Sequence, residues 1–332
     1  MSFKMIQVGL GAHGRSVGSG FILPSADFEY AGLVDLNRAA LEDFAGEHGL
    51  SNEWLDTDYK HAFRTKKADA VFITAMSPVH YEIAKEALEH NLHVLIEKPF
   101  VLSAEHAEEL VQLAADKQRI LMISQNYRFV SHVVTLKQAI DRCSLGQMRF
   151  VTAEFFVNHD GKGYQREMDN YILMEMSVHH VDMIRFLSDS NIASVWGRTW
   201  NFPNSGYKGD PNVHAVYQTE SGVPFFYTSS LLASGPWIPW EGKWRIQFEE
   251  GVVYLDDLGD GYGVYISGSD GSMTKIPTYY PEHDSIHGVL FEFAQSIREN
   301  SEPSTSGRDN LNTIRALLAT SESSASGREI QV

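Results

Sequence analysis

The sequence predicts two joined folds: a parallel, doubly wound α/β domain over residues 1–124 and an α+β domain with a largely antiparallel sheet over residues 125–332. Three observations carry this expectation. Up to Ser124, short apolar runs alternate with longer helix-patterned segments, the order that yields a parallel sheet with crossover helices. Beyond it, strand-like runs follow one another through short turns such as Glu220-Ser221-Gly222 and Glu249-Glu250-Gly251, which implies antiparallel pairing. A chain of 332 residues also exceeds one ordinary domain, and its 43% hydrophobic and 21% charged residues are the balance of a globular protein.

Strands are expected at Met5 to Gly9, Tyr30 to Val34, Ala70 to Thr74, His93 to Glu97 and Ile120 to Ser124, with a weaker one near Glu53 to Leu55. Most are continuous apolar runs, as strands covered on both faces require. Helices are expected at Asn37 to His48, Val79 to Asn91 and Ser103 to Lys117, with Asn37 and Ser103 as N-caps. The second domain should open with a helix near Val133 to Arg142, a strand at Arg149 to Val157 and a helix at Asn170 to Leu187. Strand runs then continue to Ile266, and two helices, Ile286 to Asn300 and Arg308 to Ser326, precede a short tail, Arg328 to Val332.

Composition excludes several classes of partner. A formal net charge of −16 argues against nucleic acid, whose phosphates need a basic surface. No apolar run approaches the ~20 residues that cross a bilayer. The opening Met1-Ser2-Phe3-Lys4 leads into a strand without the pattern of a secretory signal, and Cys143 is the only cysteine, so a reducing, cytoplasmic compartment is expected. No Cys/His spacing suggests a structural zinc, and no metal is expected.

Three motifs point to chemistry. Gly9-Leu10-Gly11-Ala12-His13-Gly14 lies between a strand and a helix. The first glycine permits the turn, the second lets backbone approach a pyrophosphate and the third allows close helix-to-strand packing. Asp35 closes the second strand about twenty residues on, where a carboxylate accepts hydrogen bonds from an adenosine ribose. NAD is therefore expected, and Arg38 nearby keeps NADP open. Glu97-Lys98-Pro99 follows a parallel strand at the end where such sheets place ligands, so Lys98 is either a solvated strand-end lysine or a site residue. Glu175-Met176-Ser177-Val178-His179-His180-Val181-Asp182 should be helical, with Glu175 and His179 on one face and Asp182 within a turn. An imidazole beside a carboxylate suits proton exchange with an alcohol. A core or surface histidine and a metal ligand are the other readings, though no third ligand has suitable spacing.

Taken in order, the glycine loop, Glu97-Lys98-Pro99 before a Ser-initiated helix, Asn126-Tyr127-Arg128-Phe129 and the Glu175-to-His179 helix resemble the glucose-fructose oxidoreductase / inositol dehydrogenase / rhizopine catabolism family, Gfo/Idh/MocA. The resemblance spans nearly the whole chain, through Leu145-Gly146 to Ser321-Glu322-Ser323 and Gly327-Arg328. It implies a Rossmann domain followed by an open, mainly antiparallel sheet used for homo-oligomer contacts, as dimer or tetramer. It implies that Lys98 and His179 are the catalytic pair, that Glu175 orients His179 and that the Lys98–Pro99 peptide is cis. Cofactor contacts would come from Gly9, Gly11, Ala12, His13, Gly14, Asp35, Arg38, Ala75, His80, Glu97 and Lys98.

Beside Lys98 and His179, substrate contacts are expected from Tyr127, Arg128, His159, Tyr164, Arg166 and His180, and from Trp237 in the tryptophan-rich loop Gly235 to Trp244. The activity implied is hydride transfer between nicotinamide and a secondary alcohol or ketone of a sugar, inositol or related polyol. An NAD-dependent glycosidase using transient oxidation and a non-catalytic nucleotide or sugar sensor are the alternatives. Two departures stand out. Members commonly carry aspartate where this chain has Glu175, and in Ala75-Met76-Ser77-Pro78-Val79-His80 the proline is displaced from the usual Thr-Pro start.

Overall fold

A computed structural model describes residues 2–159, 161 and 163–332, leaving aside Met1, Asp160 and Lys162. The chain forms two compact units, residues 1–126 with 285–311 and residues 127–284 with 312–332. The change of unit at 126/127 falls two residues beyond the expected boundary. The stretch 285–311, expected in the second domain, clusters with the first unit.

In the first unit, β1 (Phe3–Val8), β2 (Phe28–Val34), β3 (Leu55–Asp56), β4 (Ala70–Ile73), β5 (His93–Glu97) and β6 (Leu121–Ser124) form a parallel sheet in the order β3-β2-β1-β4-β5-β6. This is the doubly wound dinucleotide-binding order, whose direction reverses between β1 and β4. All four residues of β4 are wholly buried, as are Val94, Leu95 and Ile96 of β5, which is why these strands read as unbroken apolar runs.

The crossovers carry α1 (Ala12–Val17), extended by a π turn over Gly18–Ile22, α2 (Arg38–His48), α3 (Tyr59–Thr65), α4 (His80–Glu89) and α5 (Ala104–Lys117). Asn37 caps α2 through the amides of Ala39 and Ala40, and Ser103 caps α5 through that of His106. The helix α3 has no counterpart in the sequence reading. Its seven residues are too few to show a period, although Asp58 caps it through the amide of Lys60.

In the second unit, α6 (Ser131–Arg142) precedes β7 (Met148–Phe156), and α7 (Val178–Ser188) leads into β8 (Ile192–Trp200), β9 (Asn212–Thr219), β10 (Pro224–Ser230), β11 (Lys243–Phe248), β12 (Gly251–Asp257), β13 (Tyr262–Gly268) and β14 (Met273–Ile276). After α8 (Ile286–Glu299) in the first unit, α9 (Gly307–Ser326) runs on to β15 (Ile330–Gln331). The sheet order is β14-β13-β12-β11-β7-β10-β9-β8-β15, antiparallel except where β10 runs parallel to β7. Alternate residues of β7, β9 and β10, such as Val151, Ala153, Phe155, Tyr217 and Tyr227, are buried on the helix-covered face. On the other face Trp196 and Phe226 stand 42% and 40% exposed, each opposite Val216 of β9. The strands β14 and β15 were not expected from sequence. Both are short, and β15 falls in the stretch read as a tail.

Candidate active site

In the first unit the glycine loop is fixed by what surrounds it. Gly9 has φ +105°, and a Cβ there would lie 2.5 Å from Ala75 N. A Cβ on Gly14 would lie 2.2 Å from Gly9 O, whereas one on Gly11 would meet nothing within 4 Å. The protein itself therefore demands the first and third glycines, and the second leaves its backbone open to a ligand. Asp35 ties this loop to the end of β2, its Oδ2 accepting from Leu10 N at 2.6 Å and its Oδ1 from Asn37 N at 2.8 Å. Arg38 is occupied by Glu42 at 2.8 Å on the exposed face of α2.

Two residues that sequence reasoning missed complete the cradle. Buried Gln7 donates to Gly14 O at 2.8 Å and Thr74 Oγ1 at 3.0 Å, while Thr74 donates to Gly9 O at 2.6 Å. The available signal was a polar side chain within or just after an apolar strand. The loop, its open glycine and Asp35 fit a dinucleotide's pyrophosphate and ribose.

Beside the loop, Glu97 is buried at the end of β5, and His13 Nε2 lies 3.3 Å from its Oε1. Burial works to raise the Glu97 pKa, but His13, Lys98 and Ser124 outweigh it and hold the carboxyl below its ordinary range. The Lys98–Pro99 peptide is cis.

His80 corrects the reading of it as a cofactor contact. It is 1% exposed, with Nδ1 2.9 Å from Pro99 O and Nε2 2.9 Å from Ala75 O, so both ring nitrogens face protein backbone. Burial holds its pKa below the usual imidazole value against the pull of these carbonyls and Glu97. Its work is to join the loop after β4 to the turn after β5. Within that first loop the displaced Pro78 starts a short 3-10 turn, Ser77–Val79.

In the second unit Tyr127 lies flat on His179, ring centroids 4.0 Å apart and planes 11° from parallel. His179 is 5% exposed. The helix that carries it is not uniform: Leu173–Ser177, which includes Glu175, is a π turn, and α7 begins only at Val178. The four-residue step from Glu175 to His179 therefore does not have the α-helical geometry that sequence spacing assumed. Gln165, another residue missed from sequence, donates to Glu175 Oε1 at 2.8 Å.

Two expected substrate residues are structural instead. Arg128 is 9% exposed and grips Asp182 in a fork, Nε to Oδ2 and Nη2 to Oδ1 both at 2.7 Å, with Thr313 also on Asp182 at 3.2 Å. This uses the carboxylate once placed near His179. His180 is 1% exposed, with Nδ1 2.8 Å from the Tyr227 hydroxyl and Nε2 3.1 Å from Trp240 O. Burial pushes its pKa down to about 4, so it is the neutral ring that accepts from Tyr227 and donates to Trp240.

The remaining candidates keep some access. His159 Nδ1 is 3.0 Å from the Tyr171 hydroxyl, and its ring meets Trp240 edge-on. Tyr164 is 39% exposed, with its pKa pushed up to about 12 by burial and by Glu175. Arg166 donates to Gly161 O at 2.7 Å and lies over the Tyr207 ring. Trp237 is 60% exposed.

Comparison with known proteins agrees with both units. Residues 3–125 match the oxidoreductase family, NAD-binding Rossmann fold, of Gfo/Idh/MocA, and residues 133–254 match the C-terminal domain of the same family. An inositol 2-dehydrogenase of Rhizobium meliloti is 24% identical over 93% of each chain. A D-apiose dehydrogenase of Rhizobium rhizogenes is 23% identical over 91% of this chain and 90% of its own. Among solved structures, an oxidoreductase from Agrobacterium radiobacter in complex with NAD+, L-tartaric acid and magnesium superposes with a TM-score of 0.89 at 21% identity, covering 100% of this chain and 98% of that one. With its six-stranded parallel sheet, its glycine cradle and both domains matched, the chain belongs to the Gfo/Idh/MocA family of NAD-binding oxidoreductases.

Proposed function

We propose that the protein is an NAD-dependent dehydrogenase acting on a secondary alcohol of a neutral sugar, inositol or related polyol. The observation that carries the reading is the buried imidazole of His179, stacked under Tyr127, in a chain that also carries a complete dinucleotide cradle. The sugar and inositol dehydrogenases among its relatives supply the substrate class.

In this reading His179 takes the hydroxyl proton of the alcohol, and Tyr127 fixes the plane of its ring. Lys98, which follows β5 in the unit that holds the glycine cradle, is the second catalytic candidate, a cation suited to stabilising developing negative charge. Glu175, held by Gln165, keeps a carboxylate close to the helix turn that carries the imidazole. Asp35 accepts hydrogen bonds from the ribose, and its charge opposes the extra phosphate of NADP. The glycine cradle would hold NAD, which would supply the hydride acceptor. Exposed Trp196 and Phe226, flanking half-buried Val216, suit contact with a second copy of the chain, and the single Cys143 suits a reducing cytoplasm.

The test is absorbance of reduced nicotinamide with NAD or NADP against inositols, aldoses, anhydrosugars and glycosides. The reading expects oxidation of at least one neutral polyol with NAD. It also expects His179→Ala to lower kcat by roughly 10²–10⁴-fold with NAD affinity retained. Glycoside cleavage without net reduced nicotinamide, or wild-type turnover in His179→Ala, would refute it.

A further inference from the structure

Between β7 and α7 the chain runs through residues 157–172, which include the expected substrate residues His159, Tyr164 and Arg166 and the Gln165 that donates to Glu175. Its 3-10 turn, Gly163–Glu167, is too short to hold a position by itself. Support comes from Tyr207, 9% exposed, in the connection between β8 and β9. The Tyr207 hydroxyl donates to His159 O at 2.9 Å and accepts from Gly161 N at 2.6 Å. Its ring stacks on Tyr171, centroids 4.8 Å apart and planes 14° from parallel, and the Arg166 guanidinium lies over it, 5.4 Å from the centroid. One side chain thus engages residues 159, 161, 166 and 171 together.

The connection that carries Tyr207 is itself braced. Asn201 donates through Nδ2 to Tyr207 O at 2.9 Å and to Gly209 O at 3.0 Å. Lys208 N donates to Arg166 O at 2.8 Å. At Gly209 a Cβ would lie 2.1 Å from Met168 O, so the two backbones meet with no space for a side chain. The supported stretch then reaches the helix of the imidazole. Gln165 donates to Glu175 Oε1 at 2.8 Å, and Glu175 lies in the π turn that runs directly into α7 and His179.

We infer that Tyr207 is a positioning residue of the His179 site: its hydroxyl and ring set the chain at His159, Gly161 and Arg166, and through Gln165 they set the Glu175 carboxylate. The effect on turnover rests on the dehydrogenase reading, to which the inference adds a residue that acts through others.

The test compares wild type with Tyr207→Phe, Gln165→Leu and the double variant. Phenylalanine keeps the ring stack and removes both hydroxyl hydrogen bonds. Tyr217→Phe, which loses a buried hydroxyl contact to Thr320 at 3.0 Å in the same unit, controls for lost stability alone. Tyr207→Phe and Gln165→Leu should each lower kcat for the best polyol by roughly tenfold, short of the ~10²-fold that a 1 Å misplacement costs, with the NAD KM unchanged. The double variant should fall no further than the lower single one, because both act along one path. Tyr217→Phe should keep wild-type kcat.

The second readout is the NMR titration of the His179 ring in the enzyme without substrate. Its midpoint should move in the same direction in Tyr207→Phe and Gln165→Leu, and no further in the double variant. Additive losses or shifts, a Tyr217→Phe loss as large as that of Tyr207→Phe, or an unchanged kcat or midpoint in Tyr207→Phe overturns the inference. If wild type oxidises nothing in the panel, the dehydrogenase reading fails by itself and the titration alone decides: a shared, non-additive shift supports Tyr207 in this role, and any other result overturns it.

Discussion

Replacing Arg128 with methionine separates a structural role from a binding one. The substitution keeps an unbranched apolar stem but deletes both 2.7 Å hydrogen bonds to Asp182, whose side chain is 2% exposed. Breaking a buried pair from one side typically costs about 3–5 kcal/mol, because the remaining charge stays buried without its partner. Asp182 would retain Thr313 at 3.2 Å and Arg185 at 3.6 Å, so the lower end, about 3 kcal/mol, is expected. Tryptophan fluorescence suits the measurement, since five of the six tryptophans, Trp196, Trp200, Trp237, Trp240 and Trp244, lie in the same unit as Arg128. With a urea slope of about 2 kcal/mol per molar, the unfolding midpoint of that unit should fall by roughly 1.5 M. The double variant Arg128→Met/Asp182→Leu should recover much of the loss, because it removes the stranded charge. An unchanged midpoint with a large rise in substrate KM would refute the structural assignment.

Three further outcomes follow from the same geometry. His180 has a folded pKa of about 4, below its ordinary 6.5, so the unfolded chain binds its proton first; stability from this residue is complete above pH 6.5 and is lost as pH falls towards 4. The loss amounts to about 3 kcal/mol, and urea midpoints of wild type and His180→Gln across that range should show it only in wild type. Gly11→Ala should leave Tm unchanged and abolish NAD binding, because its Cβ meets only space a ligand would use. Gly14→Ala, whose Cβ would meet Gly9 O at 2.2 Å, should lower both in thermal melts and NAD titrations. Asn37→Ala should cost about 1 kcal/mol in urea unfolding through loss of the α2 cap, and no change would show the cap to be idle.

The parts of the molecule legible in the sequence are those where one physical demand dominates. Strands buried on both faces read directly as apolar runs, and β5 begins and ends at the expected residues, His93 and Glu97. Glycines at 9 and 14 were legible because neighbouring backbone excludes any side chain there. What escaped depends on contacts between residues far apart in sequence. Arg128 and His180 have the chemistry of ligand-binding residues, and only packing shows that Asp182, Tyr227 and Trp240 have already taken it up. The π turn at Leu173–Ser177 has no signature in hydrophobic periodicity, which made Glu175 look like a simple helical neighbour of His179. The parallel pairing of β10 with β7 was hidden because each strand alternates as an antiparallel strand does.

The edge of the nucleotide-binding sheet is finished by a segment that arrives late in synthesis. Ile123 N–H bonds to Thr305 O and the Thr305 hydroxyl to Ile123 O, across a separation of 182 residues. At about 5–20 residues per second, β6 would wait roughly 9–36 s on the ribosome with its outer rim bare. A strand as apolar as Leu121–Ser124, left open for that long, is a place for chaperones to bind and for nascent chains to pair wrongly. Fragments that stop near residue 126 should for the same reason clump rather than fold.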